Sequence, residues 1–404
     1  MLTPTALRDQ YAAASTDDLR ILVVGAGIAG VTVAQLLRGR GRHPVLIERS
    51  ETGAHPGYML ALMPMIDPVL DELGLWDRYR ASSVPFDRYA VHAHRGRTVR
   101  VDSLGDVLAR YGEYRGIGRG GLMEVLTTTD CPVSYGITVS GLDEQQDCVK
   151  VTCTRSGAEL EFDCVIVADG IHSATRELVS EPAAELDTQW GGWVVWAPAD
   201  ADTDLGEELW GAGFFLGTYP VPGKIGVFLG GHREDTAAGP EAFVARIRSQ
   251  LTTSNARIDG ALDAVRNATE SFYWPLADSR SPGWSSGRSV LLGDAAAGFL
   301  PTAGIGAGMA MESAWVLATM LREARPDTVA PLLQAYERTQ RPRVEAAQNA
   351  SRTLARMMFH RSKTLAVLRD ALLRVTSISV ALRPIQRLLA TRPDPTTALR
   401  RPTG

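Results

Sequence analysis

Short apolar runs recur along the chain and predict buried β-strands. Four of them are nearly unbroken rather than alternating, at positions 20–24, 44–47, 164–168 and 289–292. A run of this length without alternation is typical of a strand that is buried on both faces, as in a parallel sheet. Each run ends at a glycine or an acidic residue, so the pattern predicts a parallel sheet with polar groups at its carboxyl edge.

The first run leads directly into a glycine-rich loop. Gly25-x-Gly27-x-x-Gly30 is followed by a segment, 31–37, that predicts a helix. In such a strand–loop–helix unit, Gly25 permits a tight turn, Gly27 lets a phosphate approach the backbone, and Gly30 allows close packing of helix on strand. Glu48 ends the second strand about 20 residues beyond the loop, where an acid accepts hydrogen bonds from an adenosine ribose. The unit predicts a dinucleotide site.

The last run is followed by an acid, a proline and closely spaced glycines. Gly293-Asp294 ends the strand, Pro301 comes next, and positions 304, 306 and 308 are glycine before a predicted helix over 307–322. Glycines let a flat ligand approach the backbone, and the start of a helix carries partial positive charge. On its own, this block fits an ordinary Gly-Asp turn that caps a core helix equally well.

The remaining run ends in a motif that identifies a family. Asp169-Gly170-x-x-Ser173-x-x-Arg176 resembles the Asp-Gly motif of the class A flavoprotein monooxygenases, the group typified by para-hydroxybenzoate hydroxylase. Gly293-Asp294 resembles that family's Gly-Asp motif, and the glycine-rich loop comes first, as it does there. All three motifs stand in the family's order, and the resemblance covers residues 19–321.

The resemblance implies a set of residues that bind FAD non-covalently. Asp169 is expected to serve both FAD and the nicotinamide reductant, and Asp294 to bind the ribityl chain. The whole predicted set is Gly25, Gly27, Ile28, Ala29, Gly30, Glu48, Arg49, Arg119, Asp169, Asp294, Pro301, Gly304, Gly306 and Ala307. The chain departs from the family at Ala297, where many members have His, and at Gly308, where many have Asn.

The resemblance also implies an activity. NADPH or NADH would reduce the flavin transiently, and a flavin C4a-hydroperoxide would hydroxylate an aromatic or polycyclic small molecule. Because the cofactor supplies this chemistry, no side chain is named as catalytic. The segment Pro56-Gly57-Tyr58-Met59 is similar to tetracycline-modifying and polyketide-tailoring members, which favours a bulky substrate.

Other flavin-dependent functions remain open at this point. A halogenase needs an active-site lysine after the first motif, and the lysines of this chain are Lys150, Lys224 and Lys363. A reductase or saturase of a prenyl-lipid-like substrate would keep the FAD motifs without consuming oxygen. A non-catalytic FAD-binding protein would be yellow but would not oxidise NAD(P)H.

The pattern between the motifs predicts the remaining architecture. A hairpin around 89–101 and apolar, aromatic segments at 193–196, 213–216 and 225–229 predict a second, mixed sheet. We therefore predict an α/β fold: a Rossmann-like FAD-binding domain with a parallel sheet, a mixed β-sheet substrate domain and a C-terminal helical tail. The predicted boundaries are 19–80, 102–185 and 285–335 for the first, 81–101 and 186–284 for the second, and 336–404 for the tail.

Charge separates the tail from the body. The 404 residues carry a net charge of −4, yet residues 337–404 contain 14 Lys and Arg against four acids, which gives +10 there and −14 elsewhere. The pattern over 336–389 predicts two or three amphipathic helices with Pro384 as a break. Such helices could lie on a membrane surface or pack on the acidic body with their arginines solvated or paired. Nothing beyond this charge favours nucleic acid.

Composition and apolar pattern indicate where in the cell the protein is expected. No run reaches the roughly 18 apolar residues of a membrane span, and the N-terminal segment lacks a signal-peptide core. The four cysteines are too few for a disulfide framework, so we expect a cytoplasmic protein with reduced thiols, as a monomer or dimer. His92 and His94 share one face of a predicted strand, but no third ligand follows at suitable spacing, so solvent-facing histidines and no metal are expected.

Overall fold

The computed structural model describes residues 2–52, 57–154, 157, 159–269 and 271–395. Its strands, in chain order, are β1 (Leu2–Pro4), β2 (Ile21–Val24), β3 (Val45–Glu48), β4 (Met59–Leu62), β5 (Val84–Pro85), β6 (Arg88–His92), β7 (Thr98–Ser103), β8 (Arg115–Gly118), β9 (Cys131–Tyr135), β10 (Val139–Glu144), β11 (Val149–Cys153), β12 (Glu159–Phe162), β13 (Cys164–Val167), β14 (Ala184–Pro198), β15 (Leu205–Trp210), β16 (Phe214–Val221), β17 (Lys224–His232), β18 (Phe272–Arg280), β19 (Ser285–Ser286), β20 (Ser289–Leu291) and β21 (Ala297–Gly298).

Helices connect and cover these strands. The α-helices are α1 (Leu7–Ala14), α2 (Ile28–Gly39), α3 (Asp67–Leu73), α4 (Trp76–Ala81), α5 (Leu104–Leu108), α6 (Arg119–Leu126), α7 (Arg233–Thr236), α8 (Pro240–Gln250), α9 (Ala256–Asn267), α10 (Gly306–Met320), α11 (Val329–Met358), α12 (Lys363–Val375), α13 (Ile378–Ala381) and α14 (Arg383–Ala390). Short 3-10 turns lie at Pro64–Ile66, Thr175–Leu178, Gly293–Ala295, Pro301–Ala303 and Leu321–Glu323.

A seven-stranded, mainly parallel sheet forms the first layer. Its order is β1-β9-β3-β2-β13-β20-β19, and only the β19–β20 pair is antiparallel among the described pairs. All four residues of β2 and of β13 are buried. Helix α2 packs on β2 and β3, and α10 packs on α2. The unbroken apolar runs correspond to β2, β3, β13 and β20, so the predicted parallel sheet is confirmed.

An eight-stranded mixed sheet forms the second layer, as predicted. Its order is β21-β18-β14-β17-β16-β15-β6-β7, and β6 pairs with β15 in parallel while the other pairs are antiparallel. Helices α8 and α9 pack their apolar residues on one face. On the other face, Trp190, Phe215 and Phe228 pack with Met358 of α11.

The C-terminal region is helical, but its elements differ from the prediction. Four helices, α11 to α14, are formed rather than two or three. Helix α11 begins at Val329, seven residues before the predicted start, and runs without interruption across position 336. Pro384 does not break a helix; it lies in the first turn of α14, where the missing N–H has no intrahelical partner to lose.

The predicted domain boundaries remain a proposal, and several elements cross them. Strand β14 begins at Ala184, and β7 extends to Ser103. Strand β21 joins the eight-stranded sheet through β18, although its sequence lies within the segment 285–335. The two sheets are therefore more interleaved than the boundaries suggest.

Several described arginines of the tail pair with acids of the body. Arg343 contacts Glu312 at 2.7 Å, Arg352 contacts Asp278 at 2.7 Å, and Arg361 contacts Glu234 at 3.3 Å. For these arginines, the alternative in which the basic tail packs on the acidic body is therefore the one observed. Among the described helices, none combines the length and apolar content that a membrane crossing needs.

The prediction of solvent-facing histidines is wrong. His92 ends β6 and is only 2% exposed, with Nε2 3.6 Å from Glu207. His94 lies beyond the strand, and its Nδ1 is 2.5 Å from Asp370 of α12. Both imidazoles meet acids brought in from distant segments, which strand spacing could not reveal. Within the described parts of the chain, no group of three or more His, Cys, Asp and Glu is arranged to hold a metal ion.

Candidate functional site

Four neighbouring strands of the parallel sheet deliver the predicted polar groups to one edge. Their order is β3-β2-β13-β20, and all pair in parallel, so their carboxyl ends lie together. The glycine-rich loop follows β2, Glu48 ends β3, Asp169 follows β13 and Asp294 follows β20. The structure thus brings the three acids and the loop together around one opening.

Backbone packing explains the glycines of the loop. Gly25 has φ +101°, and a Cβ there would lie 2.6 Å from the Ala168 carbonyl oxygen. A Cβ on Gly30 would lie 1.9 Å from the carbonyl oxygen of Gly25, so the first turn of α2 can approach the loop only with glycine at that position. A Cβ on Gly27 would meet no atom within 4 Å, which leaves this point of the backbone open to a ligand.

Glu48 is held in place by the backbone around it. Its Oε2 accepts a hydrogen bond from the Ala26 N–H at 2.8 Å, and its Oε1 accepts one from the Ser50 N–H at 2.8 Å. A carboxylate has further lone pairs, so both oxygens can still accept hydrogen bonds from ribose hydroxyls.

The Asp-Gly segment is tied to the Gly-Asp segment by a buried arginine. The Arg176 guanidinium donates to the carbonyl oxygens of Ile171 at 2.6 Å and Ala295 at 3.3 Å. The Arg176 N–H donates to Ser173 Oγ at 2.9 Å. The Ser and Arg of this motif therefore position two strand ends. Asp169 Oδ1 is buried and accepts no hydrogen bond from any described residue.

Asp294 faces the opening from the end of β20. The turn before it requires Gly293, whose φ is +63°. Its carboxylate is open to the cavity, yet the surrounding protein is dense enough that desolvation raises the pKa of Asp294 to about 6. Hydrogen bonds from ligand hydroxyls would stabilise the charged form.

Two arginines approach the site from other elements. The N–H of Arg119, the first residue of α6, donates to the Tyr58 carbonyl oxygen at 2.8 Å. Burial raises the pKa of the Tyr58 phenol, while Arg119 lowers it and Asp294 raises it further, so these three side chains share one neighbourhood. Arg49 follows Glu48 and lines the same opening.

The segment after Asp294 contains Pro301, Gly304, Gly306 and Ala307 of the predicted FAD-binding set and forms one wall of the opening. Pro301 begins a 3-10 turn, Gly304 ends it with φ +62°, and Gly306 begins α10. A Cβ on Gly308 would lie 2.7 Å from Met65 Sδ. Met65 therefore occupies the space that a larger residue at position 308 would need.

A single cavity of about 1350 Å³ connects these groups. Of the predicted residues, Gly30 alone does not line it, because it lies behind the loop and acts through packing. The cavity continues to an aromatic chamber under the eight-stranded sheet and is closed by residues of α11 and α12, including Met357 and Leu373.

The sequence prediction missed the polar part of this chamber. Tyr89, Glu208, Trp210 and Tyr219 line it together. Strand β15 was not predicted, although Glu208 and Trp210 have the two-residue spacing that places side chains on one face of a strand. The tail residues that close the chamber carried no signal, because contacts between distant segments are not encoded in local pattern.

The residues at the carboxyl ends of β3, β2, β13 and β20, together with Arg119 of α6, form what we call the nucleotide edge: the loop at 25–30, Glu48, Arg49, Arg119, Asp169 and Asp294. These residues fit FAD. The backbone at Gly27 is open, the first turn of α2 supplies N–H groups without intrahelical partners, and Glu48 is already oriented. Asp169 has a buried oxygen free to accept a hydrogen bond within the described structure, and Asp294 gains stabilisation from donors.

Comparison with known proteins agrees with the interpretation of this edge as an FAD site. The family described as "FAD binding domain" matches residues 18–351. The chain is 31% identical over 356 residues to 3-amino-4-hydroxybenzoate 2-monooxygenase of Streptomyces cremeus, covering 84% of this chain and 87% of that protein. It is 27% identical to 6-hydroxynicotinate 3-monooxygenase of Bordetella bronchiseptica, covering 82% and 90%.

A solved structure shows the same fold. Klebsiella pneumoniae HpxO, in complex with FAD and uric acid, superposes with a TM-score of 0.78 at 22% identity, covering 96% of this chain and 98% of that chain. Motif order, the match to the family and the fold lead to one assignment: the chain belongs to the class A flavoprotein monooxygenase family and is an FAD-dependent oxidoreductase.

Proposed function

We propose that this monooxygenase hydroxylates an aromatic or polycyclic small molecule at the expense of NADPH or NADH and dioxygen. The observation that carries the proposal is the single cavity, which runs from the nucleotide edge to a chamber lined by Tyr89, Trp210, Phe228 and Trp274. Flat aromatic side chains favour a ring-containing ligand. The relatives named above act on ring compounds, as their names state.

The predicted residues divide the work of holding FAD. The N–H groups at Gly27, Ile28 and Ala29 would receive the pyrophosphate, and Glu48 the adenosine ribose. Asp294 would hold the ribityl chain. Arg49, Arg119 and Asp169 would contact the remaining polar groups, and the segment from Pro301 through Gly304 and Gly306 to Ala307 would lie along the ring. When bound, FAD supplies the oxygen-transfer chemistry.

The protein's own contribution is to orient the substrate and exclude water. Leu276, Leu300 and Met358 give the chamber apolar walls next to the aromatic residues. Apolar walls of this kind keep water away from the reacting groups and hold the ring in one orientation. No proton-transfer side chain is needed for this account.

The proposal also includes the cellular location and the oligomeric state of the protein. The free cysteines Cys131, Cys148, Cys153 and Cys164, three of them buried, suit the reducing cytoplasm where NAD(P)H is plentiful. We expect the protein to be a monomer or dimer and to bind no nucleic acid. Light scattering of the purified protein would measure its oligomeric state.

The test combines three measurements on flavin-loaded protein. Addition of aromatic ligands should stimulate NAD(P)H oxidation with matching oxygen uptake, and labelled dioxygen should leave one labelled oxygen in the product. A reductase would transfer electrons to the ligand without oxygen uptake. A non-catalytic FAD-binding protein would oxidise no NAD(P)H with any ligand, and either result would overturn the proposal.

A further inference from the structure

A buried carboxylate lies among the aromatic residues of the chamber. Glu208, in the middle of β15, is only 6% exposed and lines the cavity. Its Oε2 accepts a hydrogen bond from Trp210 Nε1 at 2.8 Å, and its Oε1 accepts one from the Tyr219 hydroxyl at 2.7 Å. The Tyr89 hydroxyl also hydrogen-bonds to this carboxyl. An acid so deep inside an aromatic chamber needs a reason other than stability, since burying a charge is costly.

The strands around Glu208 are shaped to bring these donors to it. Glu208 pairs across β15 and β16 with Gly217. A Cβ on Gly217 would lie 2.6 Å from the Tyr219 hydroxyl oxygen, so glycine leaves the space through which Tyr219 reaches the carboxylate. Desolvation raises the pKa of the Glu208 carboxyl, and the hydrogen bonds donated by Tyr89, Tyr219 and Trp210 oppose that shift. The indole N–H can only donate, so Oε2 of Glu208 is held as an acceptor.

A chain of aromatic contacts joins this acceptor to the wall formed by the segment after Asp294. The Tyr114 hydroxyl lies 3.8 Å from the Cβ position of Gly304. Tyr114 packs on Phe86 with ring centroids 4.7 Å apart, and Phe86 packs on Tyr219 at 6.2 Å. One aromatic cluster thus connects the Pro301–Ala303 turn to the partner of Glu208.

No free cation offsets Glu208 among the cavity residues that the structure describes. Arg49 and Arg119 belong to the nucleotide edge, and His172 follows the Asp-Gly motif. Arg100 is bound in a fork to Asp102 and also donates to the Thr376 carbonyl oxygen. A substrate carboxylate placed beside Glu208 would meet like charge without a compensating partner.

We propose that Glu208 determines substrate class by accepting a hydrogen bond from a phenolic hydroxyl or amino group of the ring compound and by excluding ring compounds with a carboxylate at that end. This rests on the proposed function and makes it more specific. A carboxylate offers about four lone pairs and the three donors use three of them, so one lone pair remains to accept a further hydrogen bond. The half-buried Tyr89 and Tyr219 hydroxyls offer acceptor oxygens beside it.

The test uses two compounds that differ only by a carboxylate, 2-aminophenol and 3-amino-4-hydroxybenzoate. Their dissociation constants for the FAD-loaded protein are measured from changes in flavin fluorescence. The wild type should bind 2-aminophenol at least about tenfold more tightly, because like-charge contact in a buried site is strongly unfavourable. Glu208→Gln should reduce this ratio about tenfold or more, and Glu208→Asp should retain it.

Glu207→Gln is the matched control. Glu207 is the preceding residue, 7% exposed, and its carboxylate faces Asn255 and His92 on the other side of the sheet, away from the cavity residues. The ratio should be unchanged in this variant. Gln fits at position 208, since its oxygen can accept from Trp210 while its amide donates to Tyr219.

Two results would overturn the proposal. One is wild-type protein that binds 3-amino-4-hydroxybenzoate as tightly as 2-aminophenol. The other is a Glu208→Gln variant, with wild-type FAD content and flavin spectrum, that keeps the wild-type ratio. Failure of the proposed function is distinguishable, because it would be seen as absent FAD binding or as absent oxygen insertion while the binding ratio stays as expected.

Discussion

At the residue scale, the two glycines Gly27 and Gly30 of the motif are needed for different reasons. Gly27 leaves open space, whereas a side chain on Gly30 would collide with the backbone of Gly25. The motif predicted both positions and these different roles, and the backbone packing fits that prediction. One concerns the ligand and the other the packing of α2 on the loop.

Gly30→Ala should therefore destabilise the apoprotein by about 1–3 kcal/mol, because the added methyl forces helix and loop apart. Gly27→Ala should cost the apoprotein about 1 kcal/mol at most, as the exchange of an N-cap glycine does, yet weaken FAD binding strongly. Urea denaturation of the apoproteins and FAD titration measure the two effects. Equal losses of stability in both variants would contradict this assignment.

Asp294 gives a pH dependence to FAD binding. Its pKa of about 6 in the ligand-free protein means that the carboxyl is charged above that pH and neutral below it. A charged acceptor holds hydroxyl donors more strongly than a neutral one. FAD affinity should therefore fall as the pH drops through about 6, and Asp294→Asn should bind FAD more weakly with a flatter pH profile.

The same shift has the opposite sign for apoprotein stability. Because folding raises this pKa above 3.8, the charged form disfavours the folded state above about pH 6, and that effect disappears as the pH falls below 3.8. Asp294→Asn should leave the apoprotein equally or more heat-stable near pH 8, measured by calorimetry. A less stable variant with unchanged FAD affinity would show that Asp294 is structural.

At the element scale, apolar pattern predicted β2, β3, β13 and β20 because strands buried on both faces have no polar positions. Helices α8 and α9 were missed among segments interpreted as sheet, and α11 was predicted to begin too late. Helix α11 is amphipathic, and the apolar residues of its first turns are buried against the rest of the protein. In the sequence these residues look like a continuation of the apolar segment before them, so the predicted helix began too late.

A buried ion pair contributes to the packing of α11 on β18, beside the hydrogen bond between Arg280 and Gln348. Arg352 donates two hydrogen bonds of 2.7 Å to Asp278, which is 0% exposed. Arg352→Met should lower the free energy of unfolding by about 3–5 kcal/mol, since it leaves an uncompensated buried carboxylate. The double variant Arg352→Met with Asp278→Asn should recover part of that loss.

A double-mutant cycle from urea denaturation measures this coupling. Arg356→Met, also on α11, serves as a control because no ion pair of Arg356 is found with the described residues. Equal destabilisation by both single changes would show that α11 is held by its apolar face alone.

At the scale of the whole molecule, the motifs predicted residues that line one end of the cavity but not those of the end that we propose for the substrate. Strand-end motifs are local, so residues 25–30, 48, 169 and 294 could be found from spacing. Glu208, Tyr219 and Leu373 meet only through the pairing of sheets and the docking of tail helices. Such contacts depend on tertiary packing, and no short sequence window contains them.

Helix α12 closes the chamber and is anchored by a buried pair. The Arg369 guanidinium donates to the carbonyl oxygens of Trp210, Gly211 and Met358, and Asp370 binds His94. Arg369→Gln should speed hydrogen exchange in residues 363–375 while leaving FAD content unchanged, because the anchor lies away from the nucleotide edge. Exchange measured by mass spectrometry tests this, with Lys363→Gln, in the exposed first turn, as the control.

The order of the parallel sheet has a consequence for synthesis on the ribosome. Strands β3, β2, β13 and β20 are neighbours, yet β20 begins at residue 289, about 265 residues after the end of β2, which is the first of them to be made. FAD therefore has no complete binding site until residue 307 and the rest of helix α10 have left the ribosomal exit tunnel. Loading is a late event of biogenesis, and nascent chains stalled before that point should be colourless.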